Sequence, residues 1–381
     1  MSENDESRLH GRVYLVGGAV RDELLGLPVE ERDWVVVGST PQAMRAAGFR
    51  QADPQFPVFL HPDTGEEYAL ARRETKVAGG YRGFETDVSP EVTLEQDLAR
   101  RDFTINAMAR DASGELIDPH GGRNDLAEGR LRHVSPAFVE DPVRILRAAR
   151  FAAKLGAGFR LAHATHRLLR QMVEARAVTE LQPQRIAAEM YKSMAYAQPW
   201  RFFEVLCACG ALADLAPGLA AQMEAGGSHA ATGPAPPILA LRRACRQSED
   251  VDIRLAALLV QSEDPPQSLT DRLGLARSSV ELLRAARATL PAYLGLEQAG
   301  PTPVHDLLQR MRAWHRDGPF NRILAVLQAQ VGSEAPRRRL VQARAAAMQV
   351  STTELQARGL QGAALGEALA QARTRAIAGV L

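Results

Sequence analysis

Glu31 and Asp33, in the run "LPVEERDWVVVGST", put two carboxylates at the mouth of a β-rich segment. Strand side chains alternate between faces, so these two point one way and Arg32 the other. Acids in that position are either a hydrated strand end or a device for holding cations. Just upstream, "YLVGGAVRD" reads as a strand, the pair Gly17-Gly18, and a helix start that carries Arg21. Glycines let backbone N–H groups approach a phosphate closely, and a helix N-terminus adds positive potential. The Gly-x-Gly-x-x-Gly spacing of a dinucleotide fold is missing, and no regular βαβ series follows. Two carboxylates beside a phosphate cradle favour the cation reading. Two-metal phosphoryl transfer needs oxygen ligands that hold Mg²⁺ ions about 3.5–4 Å apart. One ion lowers the pKa of an attacking hydroxyl, and the other neutralises a triphosphate and its leaving group. Glu67 in "GEEYALAR" is the expected third carboxylate, with Glu66 on the opposite face.

Elements that could position these groups alternate up to about residue 140. The runs "RVYLVG", "RDWVVVG", "FPVFL" and "EEYALAR" read as strands, and "AVRDELLG" and "PQAMRAAG" as helices, so the first part is a small α/β domain. After Asp141 the β-rich runs cease, and Leu, Ala and Arg recur at helical spacing. The remainder is expected to be all helical, with "APGLAAQMEAGGSHAATGPAPP" as a linker or long surface loop and the tail as amphipathic helices. The expected division is residues 1–140, 141–222 and 223–381.

Composition narrows the class. The 381 residues are 46% hydrophobic and 24% charged, a globular balance with length for two or three domains. The opening is acidic, and no apolar run approaches the ~20 residues of a membrane span, so the expectation is a soluble cytoplasmic protein with no membrane partner. Cys207, Cys209 and Cys245 fit neither a disulfide framework nor a zinc cluster and read as structural thiols. Net charge is only +1, but from Pro301 onward eleven arginines face five acidic residues. Such a face meets phosphates or is simply solvated.

The ordered set "GGAVRDELLG…RDW…EEYALAR…RRDFTINA…EDPVRILRAARFAA" resembles the class II tRNA nucleotidyltransferases, the CCA-adding enzymes, over about residues 12 to 200. The resemblance implies a polymerase β-like α/β nucleotidyltransferase head followed by an all-α neck, body and tail. It also implies CTP and ATP as substrates, Mg²⁺ as cofactor and tRNA as partner. Carried over by position, Glu31 and Asp33 become metal ligands, and Gly18, Arg21 and Arg101 contact the triphosphate. Asp102 lies at the ribose, with Asn106 one helical turn further on. Arg147 and Arg150 hold phosphates, and the loop at residues 72–87 closes as addition switches from C to A.

The segment "EDPVRILRAAR" places Asp141, Arg144, Arg147 and Arg150 at successive i+3 steps along one helix face, with Asp141 as cap and Pro142 in the first turn. Cytosine and adenine each offer an amino group beside a ring-nitrogen acceptor, so one carboxylate plus one guanidinium suits both and refuses guanine and uracil. The resemblance gives this task to Asp141 and Arg144.

Two departures stand out. The family carries Asp-x-Asp where this chain has Glu31-x-Asp33; the added methylene moves the carboxylate by up to ~1.5 Å. The metal-binding His and His-Asp ligands of a phosphohydrolase domain are replaced by Gln261-Ser262. Between residues 225 and 290 only His229 remains, and His305-Asp306 stands alone. No phosphohydrolase activity is expected. A bacterial poly(A) polymerase shares the head motifs, and a tRNA-binding protein without catalysis is the alternative from another class, kept open by Glu31.

Overall fold

The computed structural model describes residues 9–53, 56–76, 84–225, 235–315 and 317–381. The chain divides after Leu181 into two units, so the boundary falls inside the stretch expected as neck. The N-terminal unit is built on a seven-stranded sheet of order β3-β4-β5-β2-β1-β8-β9. Its strands are β1 (Arg12–Val16), β2 (Asp33–Val37), β3 (Arg50–Asp53), β4 (Phe56–Leu60), β5 (Glu67–Leu70), β8 (Ala109–Arg110) and β9 (Leu116–Ile117). The β2–β5 pair is parallel and the others are antiparallel.

Helix α1 (Gly18–Leu24) follows β1, and α2 (Pro41–Ala46) follows β2 with Thr40 as its cap, the Thr40 hydroxyl accepting the Ala43 N–H at 3.1 Å. Alternation sorts the two faces of the sheet. Tyr14, Val16 and Val35 pack with Leu94, Leu98, Ala107 and Ala109 in one core cluster. The opposite face carries Trp34 stacked on Tyr68 at 5.6 Å, with Phe49 edge-on to Tyr68. Glu66 lies on that opposite face as expected, accepting the Trp34 indole N–H at 2.9 Å.

Helix α3 (Leu94–Ala99) covers the first face and starts with a reciprocal capping box between Thr93 and Gln96. After it, "RRDFTINA" is not a regular helix: only Thr104–Asn106 coil, as one 3₁₀ turn. A short helix α4 (Gly122–Ala127) docks there so closely that a Cβ on Gly122 would stand 2.2 Å from the Thr104 carbonyl oxygen. The glycine-rich segment at 72–87, expected as a loop, instead contains an antiparallel pair, β6 (Arg73–Lys76) and β7 (Phe84–Asp87). Backbone pairing needs no apolar alternation, which is why this ribbon left no hydrophobic signal; Arg73 and Asp87 close its base at 2.7 Å. The intervening residues 77–83 lie outside the described residues. Helix α5 (Val143–Leu155) completes the region of interest in this unit.

The C-terminal unit is helical throughout its described residues, from Pro183–Ala195 to Gly362–Ala378. The stretch expected as a linker opens as a helix, Pro217–Glu224, and His229 lies outside the described residues. At Gln261 the structure holds a neutral amide network. The Gln261 amide donates to the Gln330 side-chain oxygen at 2.6 Å and to the Ala235 carbonyl at 2.7 Å, while Gln330 donates to the Ala257 carbonyl at 2.9 Å. Ser262 donates to Asp264, which in turn accepts the Gly218 and Leu219 N–H groups. His305 is buried against the Trp314 ring. The cysteines are free thiols. Among the described residues no helix is long and apolar enough to cross a membrane.

Candidate active site

Asp33 is the first residue of β2 and sits across from Val16 on β1 and from Glu67 on β5. Residues in one such row face the same side of a sheet, so both carboxylates emerge beside Gly17, which follows Val16 directly. Glu31 precedes the strand rather than belonging to it, so strand alternation is not what orients it. Its charge is felt at Asp33 all the same: partial desolvation raises the Asp33 carboxyl above the ordinary range, Arg101 opposes this, and the negative charge of Glu31 raises it further. Ionised Asp33 therefore sits at some cost beside a second carboxylate, a situation that a divalent cation relieves. Glu67 is solvent-exposed, and among the described residues no three acidic, His or Cys side chains converge to hold an ion. A carboxylate pair still fits Mg²⁺, which takes one or two protein carboxylates and completes its shell with water and substrate phosphates.

The turn beside this row requires glycine. Gly17 has φ 71° and donates its N–H to the Met108 carbonyl at 3.2 Å; a Cβ there would lie 2.9 Å from Arg101 Nη1. Gly17→Ala is expected to cost about 1–2 kcal/mol of stability from the left-handed backbone and to displace Arg101, raising the KM for substrate about tenfold. Chemical denaturation and steady-state kinetics on the one variant check both effects. Gly18 starts α1, and its nearest neighbour across space is the Arg21 guanidinium.

Arg21, expected at the triphosphate, is only 2% exposed. Its Nε and Nη2 donate to the two carboxylate oxygens of Asp22, each at 2.8 Å, and its Nη1 donates to Asn106 Oδ1 at 2.6 Å. Asn106 passes the connection on, donating from Nδ2 to Asp102 Oδ1 at 3.1 Å. The 3₁₀ turn, not an α-helical i+4 step, brings these two together. Asp102, expected at the ribose, is 7% exposed and has both oxygens engaged: Oδ1 also accepts the Phe103 N–H, and Oδ2 accepts Arg147 Nε at 2.7 Å. Burial alone would raise its carboxyl. The Arg147 charge and the bonds from Asn106, Arg147 and Phe103 outweigh that, so the carboxyl is held below the usual range.

Helix α5 supplies the other side. Asp141, Arg144, Arg147 and Arg150 form a half-buried stripe, while Ile145, Leu146, Ala148 and Ala149 are buried, so the face read from the sequence is present. Asp141 Oδ1 accepts the Val143 N–H at 3.1 Å, but the N-cap position of the helix, expected at Asp141, is held by Pro142, one residue further on. Arg144 donates to the Ala137 carbonyl at 3.0 Å and to the Arg100 carbonyl at 2.7 Å. Phe151 gathers three guanidiniums around its ring, with Arg150 at 4.6 Å, Arg21 at 5.4 Å and Arg147 at 5.6 Å.

Three members of the site were not singled out from the sequence. Asp22 and Lys154 pair at 3.2 Å, extending the network from α1 to α5. Asp97 is fully buried and binds both Arg100 and Arg101. The spacing of Asp97 three and four residues before two arginines, on a helix with a Thr-x-x-Gln start, was the available signal.

Comparison with known proteins places this geometry. Residues 13–132 match the family model of the poly A polymerase head domain, and residues 158–223 match that of a probable RNA and SrmB-binding site of polymerase A. A "Multifunctional CCA protein" of Thioalkalivibrio sulfidiphilus is 44% identical, over 96% of this chain and 98% of the relative. A "CCA-adding enzyme" of Coxiella burnetii is 42% identical, over 97% of this chain and 95% of the relative. Among solved structures, one of a CCA-adding enzyme in complex with CTP superposes with a TM-score of 0.71 at 26% identity, covering 99% of this chain and 89% of that one. Full-length identity of this order, together with the α/β head and helical remainder, means that the chain belongs to the family of CCA-adding enzymes.

Proposed function

We infer that this protein builds and repairs the 3′-terminal CCA of tRNA from CTP and ATP without a nucleic-acid template. The observation that carries the assignment to a site is the Val16–Asp33–Glu67 row ending beside the Gly17 turn, with Arg101 against that turn. In this reading Glu31 and Asp33 hold Mg²⁺, which when bound activates the tRNA 3′-hydroxyl and neutralises the triphosphate. Glu67, in register with Asp33, adds negative potential on the same face. The Gly17-Gly18 turn and Arg101 receive the triphosphate. Arg21 acts from within, as a buried brace that sets Asn106 and Asp102, and Asp102 in turn aims Arg147. Asp141 and Arg144 take the base edge: an accepting carboxylate and a donating guanidinium suit cytosine and adenine alike. Arg150 remains a phosphate contact at the end of the stripe. The arginine-rich C-terminal helices supply the positive surface for tRNA.

The test is incorporation of each labelled nucleoside triphosphate, with Mg²⁺, into a tRNA transcript ending at the discriminator base. CTP and ATP incorporation in the order C, C, A supports the reading. Extension of unrelated RNAs with ATP alone would make the protein a poly(A) polymerase, and tight tRNA binding without any incorporation would make it a non-catalytic tRNA binder. Within this assay Glu31→Asp is expected to raise kcat by up to about tenfold with little change in KM, because the shorter side chain restores the reach of the pair. The native glutamate remains competent because the segment before β2 is not fixed by ladder bonds and can retreat by the length of a methylene. A fall in kcat would mean that the backbone is already set for glutamate.

A further inference from the structure

We propose that Asp97 is a positioning residue that couples triphosphate binding to base selection; this rests on the nucleotidyl-transfer reading of the site. Asp97 has no exposed surface. Its two oxygens are divided between two tasks. Oδ1 accepts Arg100 Nε at 3.0 Å, Arg100 Nη2 at 2.7 Å and the Arg72 backbone N–H at 3.2 Å. Oδ2 accepts Arg101 Nη2 at 3.1 Å, with Nε at 3.4 Å.

Each partner leads to a different part of the site. Arg101 reaches from Asp97 to the Gly17 turn and donates to the Asn106 carbonyl at 3.5 Å, and its charge acts on Asp33. Arg100 is fixed at its side chain by Asp97 and offers its carbonyl to Arg144 at 2.7 Å. Arg72 stands at the start of the β6–β7 ribbon. One carboxylate therefore sets the group beside the phosphates, the acceptor that aims the base-reading arginine, and the root of the ribbon.

A buried carboxylate between two guanidiniums cannot be replaced by its amide without loss. Asparagine keeps one acceptor oxygen but turns an NH₂ group toward an arginine donor, and it removes the charge that holds both cations. Arg101 and Arg100 then lose their common anchor, and Arg144 loses its fixed acceptor. A residue that only supported the fold would change melting temperature and leave nucleotide selectivity alone.

The experiment compares the unmutated protein with Asp97→Asn, Asp97→Glu and Thr93→Ala, well below their melting temperatures. Thr93→Ala weakens the same helix through its cap while leaving the carboxylate in place. Steady-state kinetics with CTP, ATP and UTP are read together with equilibrium binding of CTP, which needs no turnover. Asp97→Asn is expected to raise KM for CTP and ATP and the Kd of CTP by about tenfold or more, and to lower the preference for CTP over UTP by a similar factor. Asp97→Glu should recover part of both, and Thr93→Ala should show neither. Wild-type Kd and selectivity in Asp97→Asn, or equal shifts in Thr93→Ala, would overturn the proposal. If the unmutated protein binds CTP but transfers nothing, the assigned function fails, while the ratio of CTP Kd values between it and Asp97→Asn still decides the role of Asp97.

Discussion

Asp33→Ala is expected to abolish incorporation of both CTP and ATP, with kcat falling by a factor on the order of 1000 or more, while the protein stays folded. The loss follows from position. Asp33 is the one carboxylate of the pair fixed by the ladder on both sides, to Val16 and to Glu67. A metal-stabilised displacement that loses a ligand forfeits several kcal/mol of transition-state stabilisation. Stability should move the other way or not at all. Partial desolvation of its carboxyl and the neighbouring Glu31 together outweigh Arg101 and push Asp33 up, so ionising it at neutral pH opposes folding, and alanine removes that opposition. A melting temperature equal to or above that of the unmutated protein, with no incorporation, is the expected pair of results. Retained turnover would move the catalytic carboxylates elsewhere.

Asp102→Asn is expected to destabilise the N-terminal unit by about 2–4 kcal/mol in denaturant unfolding. The figure is at the low end for a broken buried pair because Arg147 keeps about a third of its side chain in solvent. Activity should fall with it, since Arg147 loses its ion pair at Asp102 Oδ2 and Asn106 loses an acceptor, and both KM and kcat should change. The acid limb supplies an independent check. The folded carboxyl is held below its usual range, so its contribution is complete above about pH 4 and is lost as pH falls further toward the folded value. The variant should therefore lose less stability between about pH 4 and pH 2 than the unmutated protein does. A parallel acid limb in the two proteins would show that Asp102 is not held by charge.

The sequence made the acidic pair, the Gly-Gly turn and the arginine stripe of α5 legible because each is local. Alternation placed Glu66 and Glu67 on opposite faces, and i+3 spacing aligned Asp141, Arg144, Arg147 and Arg150. What it could not reach were partners chosen by the fold. Arg21 looks like a ligand contact beside glycines, yet the following residue, Asp22, takes the Nε and Nη2 donors of its guanidinium and Asn106 takes Nη1. Asp97 reads as one more acid on an amphipathic helix until burial and two arginines give it work. The β6–β7 ribbon escaped because its pairing is made by backbone groups in a segment without apolar alternation. The Glu31 substitution was visible at once, but its consequence depends on where β2 begins, and the strand starts two residues later than the alternation assumed.

The network from Lys154 to Arg147 also bears on how the molecule comes into being. Its defining contacts are distant along the chain: Arg21 and Asn106 are 85 positions apart, and Lys154 and Asp22 are 132 apart. Loop closure of that length opposes early formation, so the strands and helices of the head must be in place before these groups meet. On the ribosome, a chain that has emerged only as far as the acidic pair and the glycine turn carries Arg21 and Asp22 but none of their distant partners, Asn106, Asp102, Arg147 and Lys154. The bracing of the proposed site is thus absent in the nascent protein and forms only when α5 has been released and packs against α1.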